Sequence, residues 1–304
     1  MKPHKACVII VTYNGIQWIE KCLSSIDESD IPLDILVVDN GSTDGTAECL
    51  RNDKRITYLH ETHENLGFGK ANNIGLRYGY KKGYDYFLLL NQDAWIEQNV
   101  VAELIKCLDL NPHFGIVSPL HFTGGGDKLD HLFQTYLERS ESYQKDKRGN
   151  AEPRNCFVVP FVNAACWMLR RETLEKVGVF HPLFEHYGED DNYIDRLHEK
   201  GLQIGIVPTV KIFHDRDNVG INPIKDDPRR LYKRTLLQEI LKTENVLTKE
   251  SAKKKAKALA QKMARRIDWI KRPSFFAYCR REFLNVYKEV MTFRKERQAE
   301  LDIN

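Results

Sequence analysis

The 304-residue chain lacks any apolar run of 18 residues, roughly the length that a membrane-spanning helix requires. We expect no signal peptide in Met1–Asn14, because the apolar stretch from Cys7 to Val11 gives way at once to Thr-Tyr-Asn. We find no internal repeat and no low-complexity tract. These absences favour a globular protein and predict that it stays in the cytoplasm.

The sequence has only seven cysteines, an odd number, and they lack the spacing of a disulfide framework or a zinc site. Most stand among apolar residues, which predicts reduced side chains in a core. Hydrophobic residues make up 42% of the chain and aromatic residues 10%, values typical of a globular protein. At this length the chain can hold one large α/β domain with an appendage, or two modest domains.

The net charge of +3 is unevenly distributed. Residues 249–304 contain 16 Lys and Arg against 7 Asp and Glu, whereas residues 1–248 contain 30 against 36. A basic tail on an acidic body predicts an anionic partner. We expect no nucleic-acid partner.

Four short apolar runs alternate with segments of helical spacing in the first hundred residues. Such runs, without polar alternation, are typical of strands buried on both faces of a sheet. The runs are Ala6–Val11, Ile35–Val38, Ile56–Leu59 and Phe87–Leu90, and the helices expected between them are Trp18–Ile26, one with Ser42 as N-cap, and Gly69–Tyr78. The alternation predicts an α/β fold with a doubly wound, mostly parallel sheet.

Polar residues follow three of these runs, at the point where each predicted strand ends. They are Thr12-Tyr13-Asn14, Asp39-Asn40-Gly41 and Asn91-Gln92-Asp93. Ligands of open α/β sheets bind at this edge. An ionised Asp39 can accept a hydrogen bond from the imide N–H of uracil or thymine, and Asp93 is a candidate ligand for a hard metal ion. The alternative for both residues is an ordinary turn-forming role.

The segment Asn65–Asn73 places Gly67 and Gly69 in a loop that leads into a predicted helix. Backbone N–H groups at such a helix start can approach a phosphate. The pattern lacks the third glycine of a dinucleotide-binding fingerprint, and no acidic residue follows about 20 positions later at a strand end. The loop therefore favours a phosphate contact without indicating a dinucleotide fold.

Beyond residue 100 the periodicity predicts further elements and one irregular segment. We expect a surface excursion over Thr123–Asn150, and a short helix over Arg171–Val177 that ends at Gly178. The other predicted elements are a helix over Val100–Leu110 and strands over Phe114–Ser118, Ile204–Val207 and Val210–Phe213.

A second charged centre precedes a predicted helix that ends at Gly201. Glu189, Asp190 and Asp191 stand in a row there, although one carboxylate would suffice to favour a helix start. Three adjacent carboxylates also repel each other, so we favour a catalytic role over a purely capping one. His214 ends the last predicted strand, and its role as a ligand depends on which residues surround it.

Five segments, taken together, resemble glycosyltransferase family 2, whose members are inverting enzymes with the GT-A fold. The resemblance covers roughly residues 5–215 and is closest to the rhamnosyltransferase- and galactofuranosyltransferase-like branch. As an ordered set the segments are highly specific, whereas no single one is. They are Val8–Asn14, Val37–Thr46, Asn65–Asn73, Asn91–Ala94 and Gly188–Asp190.

The resemblance implies a role for each candidate site residue. The Glu189-Asp190 pair matches the family's general-base motif, with Asp191 in reserve, and Asp93 and His214 match its metal ligands. The cation would be Mn²⁺ or Mg²⁺, and the imidazole favours Mn²⁺. The residues expected to bind the nucleotide donor are Thr12, Tyr13, Asn14, Asp39, Asp44, Asn65, Gly67, Lys70, Asn72 and Asn91.

The chain also departs from the family pattern. The usual Asp-x-Asp reads Asn91-Gln92-Asp93, which leaves one negative charge fewer for a metal. The acidic residue often found two positions after the Glu-Asp pair is Asn192 here. Tyr232 and Arg234 match only weakly a feature that follows the histidine in this branch, since Thr235 replaces its usual Asn.

The predicted reaction is inverting transfer of a sugar from a UDP- or dTDP-sugar to a hydroxyl of a glycan or glycolipid, in bacterial surface polysaccharide synthesis. A cation would neutralise charge on the departing diphosphate, and a carboxylate would take the acceptor's proton. Two alternatives stay open. One is a catalytically idle nucleotide-sugar binding protein, which Asn91 would favour. The other is a sugar nucleotidyltransferase, although that class has a basic glycine-rich loop after its first strand, and Thr12–Gly15 has no basic residue.

We expect a glycosyltransferase domain over residues 1–225 and a basic helical extension over residues 226–304. The extension contains two apolar stripes at helical spacing, separated by Pro273. Such stripes pack on the parent domain or pair two subunits in a homodimer, and the alternative on basic helices is contact with the inner face of the plasma membrane. The stripes are Ala252, Ala256, Leu259, Met263, Ile267 and Ile270, then Phe276, Cys279, Phe283, Val286, Val290 and Phe293.

Overall fold

The computed structural model describes residues 5–147, 155–215, 227–242, 248–265, 267 and 271–303. A nine-stranded sheet lies at the centre of this part of the chain. The strands are β1 (Ala6–Thr12), β2 (Asp34–Asp39), β3 (Ile56–Glu61), β4 (Tyr86–Asn91), β5 (Ala94–Ile96), β6 (Phe114–Thr123), β7 (Phe157–Val159), β8 (Cys166–Arg170) and β9 (Gln203–His214).

Helices cover both faces of the sheet, and three more follow it in the sequence. The first set is α1 (Ile16–Asp27), α2 (Thr46–Arg51), α3 (Phe68–Lys81), α4 (Val100–Leu110), α5 (His131–Glu138), α6 (Glu141–Lys147), α7 (Arg171–Val177) and α8 (Glu189–Glu199). The later helices are α9 (Pro228–Leu241), α10 (Lys249–Ala264) and α11 (Arg272–Glu296), and α11 is followed by a 3₁₀ turn over Gln298–Leu301.

The strands lie in the order β3-β2-β1-β4-β8-β6-β9-β5, and β7 also pairs with β9. The first four strands pair in parallel through β2, β1 and β4. Strand β8 runs antiparallel to β4 and β6, and β5 and β7 run antiparallel to β9. The predicted α/β fold with a doubly wound sheet is therefore confirmed, and the antiparallel strands all come from the chain after β4.

The continuous apolar runs are explained by the two covered faces of the sheet. In β1, Val8 and Ile10 pack in one apolar cluster with α1 and α4, whereas Cys7 and Ile9 pack in a second cluster with α3 and α8. A strand that is buried on both sides has no polar alternation. All seven cysteines are free, and five of them are buried, as expected of reduced core residues.

Two of the predicted helices have the observed bounds, and two predictions for loops are wrong. Helices α4 and α7 run as expected, and Gly178 follows α7 with a φ of 82°. Ser42 does not cap a helix, because α2 begins only at Thr46, after Gly45 at a φ of 95°. The expected surface excursion contains α5 and α6 instead.

Helix α5 was not predicted from the sequence because its apolar face is narrow. Only Phe133 and Leu137, four residues apart, are fully buried in it. Its start is nevertheless fixed by Asp130, whose side chain accepts the N–H of Phe133 at 2.9 Å. The two short strands predicted after residue 203 form the single strand β9, which continues past an irregularity in its pairing with Pro119 and Leu120 of β6.

Helices α9, α10 and α11 share a third apolar cluster, which also includes Leu183 and Phe184 from the sheet region. Helix α9 lies in the segment predicted as a helical extension, but neither of the two predicted apolar stripes covers it. Pro273 lies in the first turn of α11, where its missing N–H breaks no hydrogen bond. In α11 the inward residue is Phe275, at 2% exposure, and not Phe276 of the predicted stripe.

The predicted domain boundary at residues 225 and 226 lies outside the described residues, as does Ile270 of the first predicted stripe. The division into two domains therefore stays a prediction. Within the described ranges, no helix combines the length and the apolar character that crossing a membrane would take. The cytoplasmic location also stays a prediction.

Candidate active site

The carboxyl ends of β2, β1 and β4 lie side by side because these strands are parallel neighbours. In the register of the sheet, Thr12 pairs with Asp39, and Val11 pairs with Asn91. The structure thus brings together the three predicted polar strand ends. This edge is where an open α/β sheet binds its ligands.

Asp39 is held in place by two hydrogen bonds and is only 2% exposed. One carboxylate oxygen accepts the hydroxyl of Thr12 at 2.9 Å, and the other accepts the N–H of Ser42 at 3.0 Å. Each oxygen keeps a further lone pair, so the carboxylate can still accept an imide N–H. Tyr13 follows the end of the neighbouring strand β1 and is 44% exposed, so its ring is available for stacking.

Asn14 and Asp44 tie together the loops that follow β1 and β2. The N–H of Asn14 donates to Ser42 Oγ at 2.9 Å, and its side-chain oxygen accepts the N–H of Thr43 at 2.8 Å. The two oxygens of Asp44 accept the N–H groups of Thr46 at 3.0 Å and Ile16 at 3.1 Å. Asp44 therefore positions the loops, and its predicted contact with a diphosphate stays untested.

The loop before α3 is fixed to the end of β2 by a pair of asparagines. The side-chain amide of Asn40 donates to Asn65 Oδ1 at 3.1 Å and accepts the N–H of Leu66 at 2.9 Å. Asn65 Oδ1 also accepts the N–H of Gly67 at 2.9 Å. These bonds hold the helix start beside the strand ends, as the predicted phosphate contact requires.

Two residues predicted to bind the donor occupy other surroundings. Asn72 is 1% exposed, and its amide donates back to the carbonyl of Phe68 within α3. Lys70 lines a cavity that it shares with Arg77 and Glu300. The contact of both residues with the donor, which the resemblance implies, stays a prediction.

Strand β5 brings Asp93 and His214 together. It follows Asp93 at once and pairs antiparallel with the end of β9, so that Ala94 is the partner of His214. Nε2 of His214 lies 3.2 Å from Oδ1 of Asp93 and 3.4 Å from Nδ2 of Asn91. His214 is 2% exposed, so its imidazole is buried beside these two side chains.

Gln92, the middle residue of the motif, points to the main chain of Tyr13. Its amide accepts the N–H of Tyr13 and donates to the carbonyl of the same residue, both at 3.0 Å. This reciprocal pair ties the turn after β4 to the end of β1. Asn91 and Asp93 are left facing His214.

A carboxylate oxygen and an imidazole nitrogen suit Mn²⁺ or Mg²⁺. In the described part of the chain, no group of three or more His, Cys, Asp and Glu side chains is close enough to hold a metal ion. A cation held by Asp93 and His214 would therefore need other oxygen ligands, which the diphosphate of a donor can supply. With that condition the two residues fit a divalent cation.

Helix α8 begins with the three acidic residues. It follows Tyr187 and Gly188, whose φ angles are 66° and 95°. Glu189 is 5% exposed, and its Oε2 has no hydrogen-bond partner among the described residues. Asp190 is half-buried and accepts the N–H of Asp191 at 2.9 Å, whereas Asp191 is exposed.

Burial raises the pKa of the Glu189 carboxyl, and the neighbouring charge of Asp190 adds to the shift. Burial likewise raises the pKa of Asp190, with a contribution from Asp191. A carboxylate with a raised pKa is a stronger proton acceptor, which suits a general base. The three acids therefore differ in burial and in basicity, and their catalytic role stays a prediction.

Helix α9 packs directly over this helix start. A Cβ atom on Gly188 would lie 2.9 Å from Cγ of Arg234, so only glycine allows the close approach. The guanidinium of Arg234 lies 5.8 Å from the ring centre of Tyr187, and its charge opposes the upward pKa shifts of Glu189 and Asp190. Gln238, which was not among the residues predicted for the site, forms a side-chain hydrogen bond with Asp191.

Two glycines connect the acidic helix start to the loop before α3. A Cβ atom on Gly67 would lie 1.9 Å from the carbonyl oxygen of Glu185, and one on Gly69 would lie 3.3 Å from Cβ of Glu189. The predicted phosphate loop and the predicted base cluster are therefore in direct contact. That loop is hydrogen-bonded to Asn40 at the end of β2. The predicted phosphate loop and the predicted base cluster therefore lie at the same edge of the sheet.

Residues 7–178 match the family model described as "Glycosyl transferase family 2". An N-acetylglucosaminyl-diphospho-decaprenol L-rhamnosyltransferase of Mycobacterium tuberculosis is 24% identical over 235 residues, which cover 69% of this chain and 75% of that protein. The dTDP-rhamnosyl transferase RfbF of Shigella flexneri is 25% identical over 233 residues, or 74% of this chain and 76% of that protein. Glycosyltransferase GlyA of Streptococcus pneumoniae is 36% identical over 107 residues, and the match spans only 15% of its length.

Two solved structures are similar over 96% of the chain. TarS 1-349 of S. aureus in complex with UDP-GlcNAc has a TM-score of 0.62 and 16% identity, with 92% of that chain covered. Mannosyltransferase PcManGT of Pyrobaculum calidifontis in complex with GDP-Man and Mn²⁺ has a TM-score of 0.56 and 21% identity, with 84% of that chain covered. At these identities the likeness establishes the fold, which is that of GT-A glycosyltransferases.

Proposed function

We propose that this chain, which belongs to glycosyltransferase family 2, is an inverting enzyme that uses a UDP- or dTDP-sugar. Its acceptor is a hydroxyl group of a glycan or a lipid-linked glycan, and its reaction belongs to bacterial surface polysaccharide synthesis. The observation that carries the proposal is the contact between Asp93 and His214 at 3.2 Å, beside the strand ends that hold Thr12 and Asp39.

The choice of donor rests on Asp39. A buried carboxylate that can only accept hydrogen bonds selects a base with an imide N–H, which uracil and thymine have and adenine lacks. Thr12 supports this task, because its hydroxyl donates to Asp39 and fixes the orientation of the carboxylate. Among the similar proteins one is a dTDP-rhamnosyl transferase and one structure holds UDP-GlcNAc, which supports this choice, whereas another structure holds GDP-Man.

Asp93 and His214 are the residues that would hold a divalent cation. When bound, Mn²⁺ or Mg²⁺ offsets the negative charge that develops on the departing diphosphate. Asn91 contributes no charge to the pair, so we expect tight binding of the cation only together with the donor. The presence of Mn²⁺ and GDP-Man in one similar structure supports this arrangement.

Asp190 is our choice for the general base. It is half-buried, so it can reach an acceptor that enters from solvent, and its raised pKa favours uptake of the hydroxyl proton. Glu189 lies deeper, and Asp191 is exposed and bonded to Gln238. Direct attack of the deprotonated hydroxyl on the anomeric carbon displaces the nucleotide in one step and inverts that centre.

A thermal-shift panel tests the proposal without knowledge of the acceptor. UDP- and dTDP-sugars should raise the melting temperature in the presence of Mn²⁺, and EDTA should abolish most of the shift. Asp93→Asn should lose the metal-dependent part. The matched control is Asp27→Asn, which neutralises an exposed carboxylate at the end of α1 and should behave as the wild type.

Turnover separates the proposal from its two alternatives. A glycosyltransferase releases the nucleoside diphosphate when an acceptor is supplied, whereas an idle binding protein shows the thermal shift without any release. A nucleotidyltransferase would instead exchange pyrophosphate with a nucleoside triphosphate. If EDTA changed neither donor binding nor turnover, the metal role of Asp93 and His214 would be wrong.

A further inference from the structure

The outward face of α11 carries exposed cations and an exposed leucine. Its inner side packs in the third apolar cluster through residues such as Phe275, Phe283 and Phe293. Opposite them stands Leu284, which is 55% exposed. At 100° per residue, the positions within about 60° of Leu284 form one continuous stripe along the helix. We name this stripe the Leu284 face: Pro273, Ala277, Arg280, Arg281, Leu284, Tyr287, Lys288, Met291 and Lys295, of which Tyr287 and Met291 are partly buried against the third apolar cluster.

The Leu284 face carries positive charge only. Arg280, Arg281, Lys288 and Lys295 are all exposed. The three glutamates of α11 lie roughly 120° or more away from Leu284 around the helix; they are Glu282, which is partly buried, and Glu289 and Glu296, which are exposed. A solvated surface helix normally mixes both signs on its outer face. The segregation of charge here therefore indicates an anionic partner.

Apolar side chains are interspersed with these cations. Phe276, at 37% exposure, flanks the face at its start, and Leu284 lies between Arg280 and Lys288. A single exposed Leu is ordinary on a protein surface. Aromatic and aliphatic side chains set among cations on one side of a helix are the pattern of a helix that lies in a lipid headgroup region.

Helix α10 packs along α11 and carries further exposed lysines, Lys253, Lys254 and Lys257, while Ala252, Ala256, Ala260 and Ala264 are buried. Two copies of this chain cannot pair readily through the Leu284 face, because a two-fold interface would place its cations against themselves. A soluble polyanion would match the charge but would gain nothing from Leu284 and Phe276.

We propose that the Leu284 face of α11 docks the protein on a bilayer that contains anionic lipids. The cations contact the headgroups, and Leu284 and Phe276 enter the boundary between headgroups and acyl chains. This inference is independent of the glycosyl-transfer reaction, because it uses none of the residues of the candidate active site.

The test is co-sedimentation of the full chain with vesicles. The wild type should bind vesicles in which about a third of the lipid is phosphatidylglycerol, and should stay in solution with phosphatidylcholine alone. Each cation near an anionic surface contributes roughly a factor of five to binding. Arg280→Gln combined with Lys288→Gln should therefore bind about 30-fold more weakly, and Leu284→Gln on the order of tenfold more weakly.

Lys54→Gln combined with Lys81→Gln is the matched control, since it removes two exposed cations from the sheet region. It should bind as the wild type does, and all variants should keep the wild-type circular dichroism because the altered side chains are exposed. Equal binding by the Arg280 and Lys288 double variant and by the control would overturn the proposal. Two other results would also overturn it. One is that the wild type binds inorganic polyphosphate as strongly as it binds vesicles, and that Leu284→Gln does not change this binding. The other is a dimer in light scattering that Leu284→Gln dissociates, in a protein that does not bind vesicles.

Discussion

Replacing Glu189 with Gln is expected to stabilise the folded protein at neutral pH, even though Glu189 belongs to the candidate active site. The carboxyl is 5% exposed, and Oε2 has no hydrogen-bond partner among the described residues. Burial and the adjacent Asp190 charge raise its pKa. Burial keeps this carboxyl protonated in the folded protein at a pH where it ionises in the unfolded chain, which destabilises the fold, and a neutral amide of the same size removes that difference.

The sign of the pH dependence follows from the raised pKa. Above the ordinary Glu pKa of about 4.3, the unfolded chain releases a proton that the folded state still holds. The free energy of unfolding of the wild type therefore falls as the pH rises from about 5 to about 8. Gln does not titrate, so the variant should show a flatter profile, and the two proteins should converge towards pH 4, about the ordinary Glu pKa.

The size of the effect can be bounded. A pKa shift of one unit corresponds to about 1.4 kcal/mol, and an unpaired buried polar atom costs on the order of 1–3 kcal/mol. We expect Glu189→Gln to raise the free energy of unfolding by roughly 1–3 kcal/mol near neutral pH. The same change should not raise turnover, because stability gained at a functional site is commonly offset by lost activity.

Urea unfolding, followed by tryptophan fluorescence at a series of pH values, measures this difference. Glu296→Gln is the control, since Glu296 is an exposed acid on α11 and its loss should leave the pH profile parallel to that of the wild type. If Glu189→Gln and the wild type lost stability in parallel between about pH 5 and pH 8, the Glu189 carboxyl would be solvated, and the raised pKa would be refuted.

Three further predictions concern the site. Asp190→Asn should keep donor affinity but lower kcat and kcat/KM together by about 10²–10⁴-fold in an assay with a competent acceptor. Asp191→Asn is the comparison, and near-normal turnover in both variants would place the base elsewhere. Asp39→Asn should abolish the preference for UDP and dTDP over ADP in calorimetry, and equal wild-type affinities for the three would remove Asp39 from base recognition. Gly67→Ala should destabilise the protein by roughly 1–3 kcal/mol in urea unfolding, because the new Cβ atom would lie 1.9 Å from a carbonyl oxygen. Gly45 has a similar φ but nothing within 4 Å of such a Cβ atom, so Gly45→Ala should destabilise the protein less. Equal losses of stability in the two variants would show that φ alone matters.

The first half of the sheet could be predicted because each of its strands is an unbroken apolar run. Phe87, Leu88, Leu89 and Leu90 are all 3% exposed or less, since helices cover both faces of β4. Burial on two sides requires apolar residues at every position, and that requirement is visible in the sequence alone. Helices α4 and α7 could be predicted for the related reason that their apolar spacing and end signals agree.

The second half of the fold could not be predicted, because its helices and strands depend on contacts with residues that are distant in the sequence. Strand β9 continues through an irregularity that β6 supports, so its apolar pattern looks like two strands. Helices α5 and α9 are fixed at their starts by Asp130 and Asp227, whose side chains accept N–H groups of the first turn. In α5 only Phe133 and Leu137 are fully buried, so its apolar face is too narrow to be recognised without knowing which surface it packs against.

The sequence by itself determined the types of residue in the site and the strand ends that carry them. Thr12, Asp39 and Asn91 stand at the ends of three apolar runs, and parallel neighbours must place such ends at one edge. That inference needs only the period of the apolar pattern and the handedness of crossover connections. The inference therefore requires no knowledge of long-range contacts.

Only the tertiary structure decided which candidates meet and how each is solvated. Asp93 contacts His214 because β5 pairs antiparallel with β9, a register that no local pattern specifies. Asn72 is enclosed by its own helix, and of three adjacent acids Glu189 is buried while Asp191 is exposed. Burial and proximity are properties of packing between segments far apart in the chain, so basicity and ligand sets emerge only when those segments fold together.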